Sequence, residues 1–306
     1  MTDVSMRQPL GRTGIQVTRL GLGCGRLGAL DDAAAWRLLD VAFAHGVRVV
    51  DVARSYGRAE ALVGAWRKQH PSKEIVVSTK VGYGVAGVAD WTAEAVTRGI
   101  EEARTTLHSD VIDVVHLHSC PGHVACRNDI QDALEAARDS GHVAVIGYAG
   151  ENEDLDQALT SSLYGAVQLS LNVVDQGSRE LRLSFLIEEG IGVFAKRALM
   201  NAAWTYPLTT SVTGAWPMNA TPEFEYRRRL QHLGLEGQPG MSDMADVALR
   251  FAAFSPGVQT ALVGCSSEAR LVSAAASVAR GPLAAELVAR IENAWRSRGQ
   301  GLRGVI

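Results

Sequence analysis

Eight short apolar runs, each followed by a stretch with helical spacing, divide this chain between residues 17 and 279, and few folds accept such an alternation. The runs cover residues 17–22, 48–52, 75–80, 111–117, 143–148, 166–170, 192–196 and 260–264. They are rich in Val, Ile and Leu, as strands covered on both faces are. Between them the periodicity predicts helices at 31–45, 60–68, 92–107, 128–139, 155–161, 179–189, 244–254 and 268–279, with a further one at 284–296. The first starts on Asp31 and Asp32, buries Trp36, Leu39 and Phe43, and stops at Gly46. In the third, Val96, Ile100, Ala103 and Leu107 form one apolar stripe. Eight strand–helix units predict an α/β fold, a (β/α)8 TIM barrel, preceded by an N-terminal β-hairpin turning between Gly11 and Gly14 and followed by a C-terminal extra helix. No linker divides the sequence, so residues 1–306 are expected to form a single domain.

Several runs end on a reactive group. Arg48-Val49-Val50-Asp51 closes on a carboxylate, with Tyr56 five residues on; the run 75–80 closes on Lys80; Asp113-Val-Val-His116-Leu-His118 closes on an imidazole. In a parallel barrel such tips meet at the carboxyl end, where barrels keep their chemistry. A free tyrosine, with a pKa of about 10, is a poor proton donor or acceptor at neutral pH. A lysine beside it favours the phenolate and is expected to bring that value down. A carboxylate keeps the lysine charged in a semi-buried site, and a histidine can fix the direction of a carbonyl by hydrogen bonding. Taken singly, Asp51 and Lys80 also suit a structural ion pair, Tyr56 a rim aromatic and His118 a core histidine. Joint placement at successive strand ends favours one catalytic group.

Two other motifs compete. Gly23-Cys-Gly25-Arg-Leu-Gly28 spells G-x-G-x-x-G between a strand and a helix, with Asp51 where a ribose-binding acid would stand. That reading gives a doubly wound dinucleotide-binding sheet. Against it, the third glycine precedes the helix N-cap at Asp31 or Asp32, and the units number eight where such a sheet has about six strands. Cys120, His123 and Cys126, with His116 and His118 before them, suggest a metal. Their spacing lacks a second C-x-x-C pair, and ordinary loop residues explain them as well. No metal is expected.

Composition excludes further classes. Thirty Lys and Arg against 33 Asp and Glu leave a net charge of −3, which offers no basic surface for nucleic acid. The opening residues lack the apolar run of a signal peptide, and no uncharged stretch approaches the roughly 20 residues of a membrane span. Four cysteines in 306 residues point to a reducing cytoplasm rather than a disulfide scaffold.

Along nearly its whole length the chain resembles the aldo-keto reductase family. The resemblance rests on Pro9-Leu-Gly-Arg-Thr-Gly14, Asp51-Val-Ala-Arg-Ser-Tyr56-Gly57, Ser78-Thr-Lys80, Asp113-Val-Val-His-Leu-His118, Val145-Ile-Gly147, Val167-Gln168 and Gly264-Cys-Ser-Ser-Glu-Ala-Arg270, in the family's order. It implies a tetrad of Asp51, Tyr56, Lys80 and His118. It also implies reversible reduction of a small-molecule carbonyl substrate by NADPH, with NADH as the alternative and Tyr56 as general acid/base. By the same resemblance Gln168 holds the nicotinamide carboxamide, and Gly25, Ala149 and Leu199 line the cofactor. Gly264, Ser266 and Ser267 offer backbone N–H groups at a helix start to its phosphates, and Arg270 meets an adenosine 2′-phosphate.

The sequence also departs from the family. Ala149-Gly150 stands where a Ser-Asn or Ser-Gly pair is usual, Lys196-Arg197 where a stacking tyrosine is common, and Ser273 and Ala274 where an acid and an asparagine often meet the adenine. Lys196 and Arg197 are read as phosphate ligands, with solvated rim charges the other reading. The segment 200–242 is long for a barrel connection and carries Trp204, Tyr206, Trp216 and Tyr226. Trp204 and Trp216 would wall a substrate pocket or pack the loop onto the barrel. Rival functions are a cofactor-binding sensor of the same fold with negligible turnover, a Rossmann-type dehydrogenase and a barrel metal hydrolase.

Overall fold

The computed structural model describes residues 5–207 and 221–306. Eight parallel strands close into a barrel in the order Leu20–Gly23 (β3), Val49–Asp51 (β4), Val76–Val81 (β5), Ile112–His118 (β6), Val143–Ala149 (β7), Ala166–Ser170 (β8), Gly192–Lys196 (β9) and Thr260–Gly264 (β10), with β10 returning to β3. In front lies an antiparallel hairpin, Arg7–Pro9 (β1) against Gln16–Thr18 (β2). This is a (β/α)8 TIM barrel, and the helix Ala285–Arg298 follows the eighth barrel helix as an addition.

Alternation along each strand sorts its side chains. Val50, Val77, Val115, Ile146, Val167 and Val263 face outwards into the large cluster shared with the helices. Val49, Val76, Val114, Val145, Ala166, Phe194 and Leu262 form a second, inner cluster, and Leu10 and Val17 of the hairpin close it from below. The amino-terminal end of the barrel is therefore plugged by apolar side chains. Counting up in steps of two from that layer reaches Asp51, Lys80, His118, Ala149, Gln168, Lys196 and Gly264. All of these share the inner face and lie towards the carboxyl end.

Several elements differ from expectation. The run 17–22 is two strands, because the Thr18 hydroxyl donates to Leu20 O (2.8 Å) and accepts from Arg48 N (3.0 Å), fixing a corner between hairpin and barrel. The helix placed at 155–161 runs Asn152–Ala158. The helix placed at 179–189 breaks at Arg182, whose guanidinium reaches both carboxylate oxygens of Asp156 at 2.6 and 2.7 Å.

Within the long segment 200–242 lies a helix, Pro222–Leu233, capped by Thr221. Tyr226 and Leu230 are buried against the barrel there, together with Glu225 and Arg229, which pair at 2.5 Å. Trp204 is half-buried against the core, which matches its packing role, and Trp216 falls outside the described residues. Among the described residues no helix is long and apolar enough to cross a membrane.

The G-x-G-x-x-G stretch is not a dinucleotide loop. It forms a 3-10 turn, Leu27–Ala29. A Cβ on Gly28 would come within 2.4 Å of Tyr56 O and 2.8 Å of Arg58 N, so this glycine serves the close approach of the Tyr56 turn. In a closed barrel there is also no crevice between sheet halves for the doubly wound reading.

Candidate active site

Asp51, at the tip of β4, lies in register with Ser78 of β5, and its carboxylate collects three donors. Lys80 Nζ donates to Oδ2 at 2.7 Å, while Ser78 Oγ and Gln168 Nε2 donate to Oδ1, each at 2.9 Å. Lys80 is 1% exposed. A buried ammonium is tolerable only when paired and hydrogen-bonded, and its remaining contacts meet that need. Nζ also donates to Val52 O at 2.7 Å and lies 4.8 Å from the centre of the Tyr56 ring. Burial alone would push the Lys80 ammonium down; Asp51 and Tyr56 more than offset it, so its pKa stands above the ordinary lysine value.

Tyr56 behaves otherwise than its neighbour suggests. Burial raises its pKa above the ordinary phenol value, and the nearby charge of Lys80 only partly opposes this. The expectation of a lowered pKa is thus corrected: desolvation outweighs the ammonium, and the negative charge of Asp51 raises the value further. Tyr56 holds its proton at neutral pH, the state a proton donor needs.

His118 stands edge-on to Tyr56, with ring centres 6.3 Å apart. Burial, reinforced by Lys80 and Lys196, pushes its pKa down to about 3. It is a neutral imidazole throughout the physiological range. Its Nδ1 lies 2.9 Å from the hydroxyl of Tyr83. Two residues below, His116 is fully buried opposite Lys80, edge-on to Phe194 at 5.6 Å, and neither of its nitrogens has a partner among the described residues.

The four groups singled out by their strand-end positions thus meet at one mouth. The remaining candidates divide. Gly264 and Ser266 are exposed, and Ser267 N-caps the helix Glu268–Ala279 without spending its side chain on it. That leaves first-turn N–H groups unsatisfied and the exposed Arg270 beside them. Gly25, on the neighbouring strand end, is exposed, Ala149 is buried and Leu199 half-buried. Lys196 is engaged: its ammonium meets Glu151 Oε1 at 2.7 Å, and the same oxygen accepts from Ser170 N at 2.8 Å. Arg197 donates to Val305 O of the C-terminal segment. That segment is further fastened by Gly304 N to Asn152 Oδ1 (2.7 Å) and Val305 N to Asp175 Oδ2 (3.0 Å).

At this mouth Ser170 Oγ and the second Glu151 oxygen are buried without protein partners among the described residues. The first-turn N–H groups after Ser267, with Arg270 beside them, fit the phosphates of an anionic ligand, whereas the Ser170 and Glu151 oxygens call for hydrogen-bond donors. Among the described residues no three His, Cys, Asp or Glu side chains stand close enough to hold a metal ion. Cys120 and Cys126 instead lie against backbone oxygens, Pro121 O and Gln157 O.

Sequence reasoning missed Ser78, Tyr83 and Glu151. Ser78 had a signal, being on the same strand face as Lys80. Tyr83 and Glu151 lie past the strand ends, where alternation no longer tells direction.

Comparison with known proteins agrees with this geometry. The model of the Aldo/keto reductase family matches residues 19–296. L-galactose dehydrogenase of Arabidopsis thaliana is 26% identical over 297 residues, covering 91% of this chain and 89% of that protein. An NADH-specific methylglyoxal reductase of Escherichia coli is 25% identical over 212 residues, 60% of this chain and 64% of its own. Among solved structures, an aldo-keto reductase from Bacillus halodurans in its holo form matches with a TM-score of 0.80 at 22% identity, covering 94% of this chain and 95% of that one. With strand order, mouth and family model in agreement over most of its length, the chain belongs to the aldo/keto reductase family of oxidoreductases.

Proposed function

We propose that this protein reversibly reduces an aldehyde or ketone to an alcohol, using NADPH in preference to NADH. The observation that carries the reading is the buried Lys80–Asp51 pair beside a protonated Tyr56 and a neutral His118, all at one barrel mouth. When bound, the reduced nicotinamide supplies a hydride to the carbonyl carbon. The imidazole of His118 donates to the carbonyl oxygen and sets its direction. Tyr56 gives that oxygen its proton, and Lys80 stabilises the phenolate left behind. Asp51 keeps the ammonium charged, and in the alcohol-oxidising direction the same groups run in reverse. Four unpaired cysteines, three of them buried, suit a reducing cytoplasm.

Gly264, Ser266, Ser267 and Arg270 are the residues most ready to hold the phosphates, with Gly25, Ala149 and Leu199 beside the remainder. Gln168 reaches a carboxamide only by sharing or leaving Asp51. Lys196 and Arg197 already spend one contact each, on Glu151 and on the Val305 carbonyl, so they would meet a pyrophosphate with their remaining N–H donors. In Arg270→Ala we expect the Kd for NADPH, from fluorescence titration, to rise by about tenfold, the loss of one charge-assisted contact at an exposed site. The Kd for NADH should barely change, and equal losses for both would remove the 2′-phosphate role.

The reading itself is tested by offering aldehydes, ketones and sugars, L-galactose and methylglyoxal among them, and following absorbance of the reduced nicotinamide. Turnover of any carbonyl supports it. Tight cofactor binding with no turnover across the panel would make the protein a cofactor-binding sensor instead.

A further inference from the structure

Tyr83 follows β5 by two residues and is held from two sides. On one, the Trp91 ring meets it edge-on with centres 5.3 Å apart; on the other, its own ring stacks on His118 at 5.2 Å and 27°. The loop that carries it is closed by Trp91 N donating to Gly82 O at 2.7 Å. Gly82 has φ +121°, and a Cβ there would stand 2.6 Å from the Trp91 ring, so only glycine permits this packing. That wedge fixes the Tyr83 hydroxyl 2.9 Å from His118 Nδ1, and at 3.1 Å from Ser55 Oγ with a geometry in which Tyr83 is the donor to the serine in its present rotamer.

That hydroxyl has one proton and two neighbours able to take it. An imidazole nitrogen is a far better base than an alcohol oxygen, and Ser55, being exposed, can rotate to donate instead of accept. A neutral imidazole has a single N–H, and the partner of one nitrogen decides where it sits. Resting on the carbonyl reduction put forward above, we propose that Tyr83 is a positioning residue that donates to His118 Nδ1, so that the histidine's only proton is on Nε2 and available to a substrate carbonyl oxygen. Without this donor, the tautomer protonated at Nδ1 becomes accessible and turns a lone pair towards an oxygen that also carries lone pairs. The neutrality of His118 makes the device necessary: an imidazolium would donate from both nitrogens and need no such guide.

The variant to test is Tyr83→Phe, which keeps both ring contacts and removes only the hydroxyl. Nitrogen-15 NMR of histidine-labelled protein, with His118 assigned by difference against His118→Asn, reads the tautomer directly and needs no turnover. In the wild type we expect the signature of a protonated Nε2 and a bare, hydrogen-bonded Nδ1; in Tyr83→Phe, a mixture of tautomers. kcat for a carbonyl found in the panel should fall by about tenfold, the scale of one lost neutral hydrogen bond, with the Kd for NADPH unchanged. A wild-type spectrum with the proton on Nδ1 would overturn the inference, since Tyr83 would then be accepting and passing its proton to Ser55. So would an unaltered tautomer in Tyr83→Phe. Absence of turnover in every variant, with the tautomer shift present, would instead count against the reductase reading and leave the Tyr83–His118 assignment standing.

Discussion

Tyr56→Phe is expected to lower kcat for carbonyl reduction by about 10²–10⁴-fold, the usual contribution of a positioned acid, while the Kd for NADPH stays the same. The substitution removes one oxygen and leaves the ring that packs against Lys80 and His118. Because burial raises the Tyr56 pKa, the phenol remains the proton-holding form throughout neutral pH. Wild-type reduction should therefore show no loss until the alkaline range, above the ordinary tyrosine value of about 10. His118, already neutral above about 3, adds no inflection near neutrality. Turnover undiminished in Tyr56→Phe would remove this residue from the chemistry.

A second large effect is expected in stability. Asp51→Asn leaves the Lys80 ammonium buried with no carboxylate, and breaking a buried pair in this way costs about 3–5 kcal/mol. The pH dependence carries a definite sign. In the wild type the folded-state pKa of Lys80 is raised, so its contribution is complete below the unfolded lysine value of about 10.4 and is lost only as pH climbs through the folded value. In Asp51→Asn burial is unopposed by that carboxylate and the folded value falls below the unfolded one. The unfolded chain then binds more protons, and stability rises with pH up to about 10.4. Thermal unfolding from pH 7 to 9.5 should show Tm climbing in the variant and not in the wild type. Parallel curves would mean that Asp51 is not what keeps Lys80 charged.

Much of this was legible because strands alternate with an exact period of two. Val49 to Asp51, Val76 to Lys80 and Val114 to His118 are even steps, so once the lower valines are assigned to the barrel interior the reactive tips must follow. The eightfold repetition of short apolar runs then fixes the architecture, since each strand covered on both faces needs a helix to cover it.

The rest was hidden where charge replaces hydrophobicity. The helix Pro222–Leu233 begins on a readable cap, Thr221 followed by Pro222 and two glutamates. Its buried face, however, includes Glu225 and Arg229, which interrupt the apolar stripe that a periodicity search seeks. Their charges are met by each other and by Asp175, a contact set by residues far away in sequence. Lys196 is a similar case. Its place at a strand end was plain, but its partner Glu151 follows a different strand by two residues, and only the closed barrel brings them within 2.7 Å. The net pKa of Tyr56 was equally out of reach, because it depends on how deeply the ring sits and not on which residues surround it.

The hairpin seal beneath the barrel has a kinetic consequence. Leu10 and Val17 join the apolar layer at the amino-terminal end of the barrel, which leaves the carboxyl-end mouth as the approach to Asp51, Tyr56, Lys80 and His118. Under the carbonyl reduction proposed above, cofactor and carbonyl would share that approach, and the one bound nearer the inner layer would be expected to enter first and leave last.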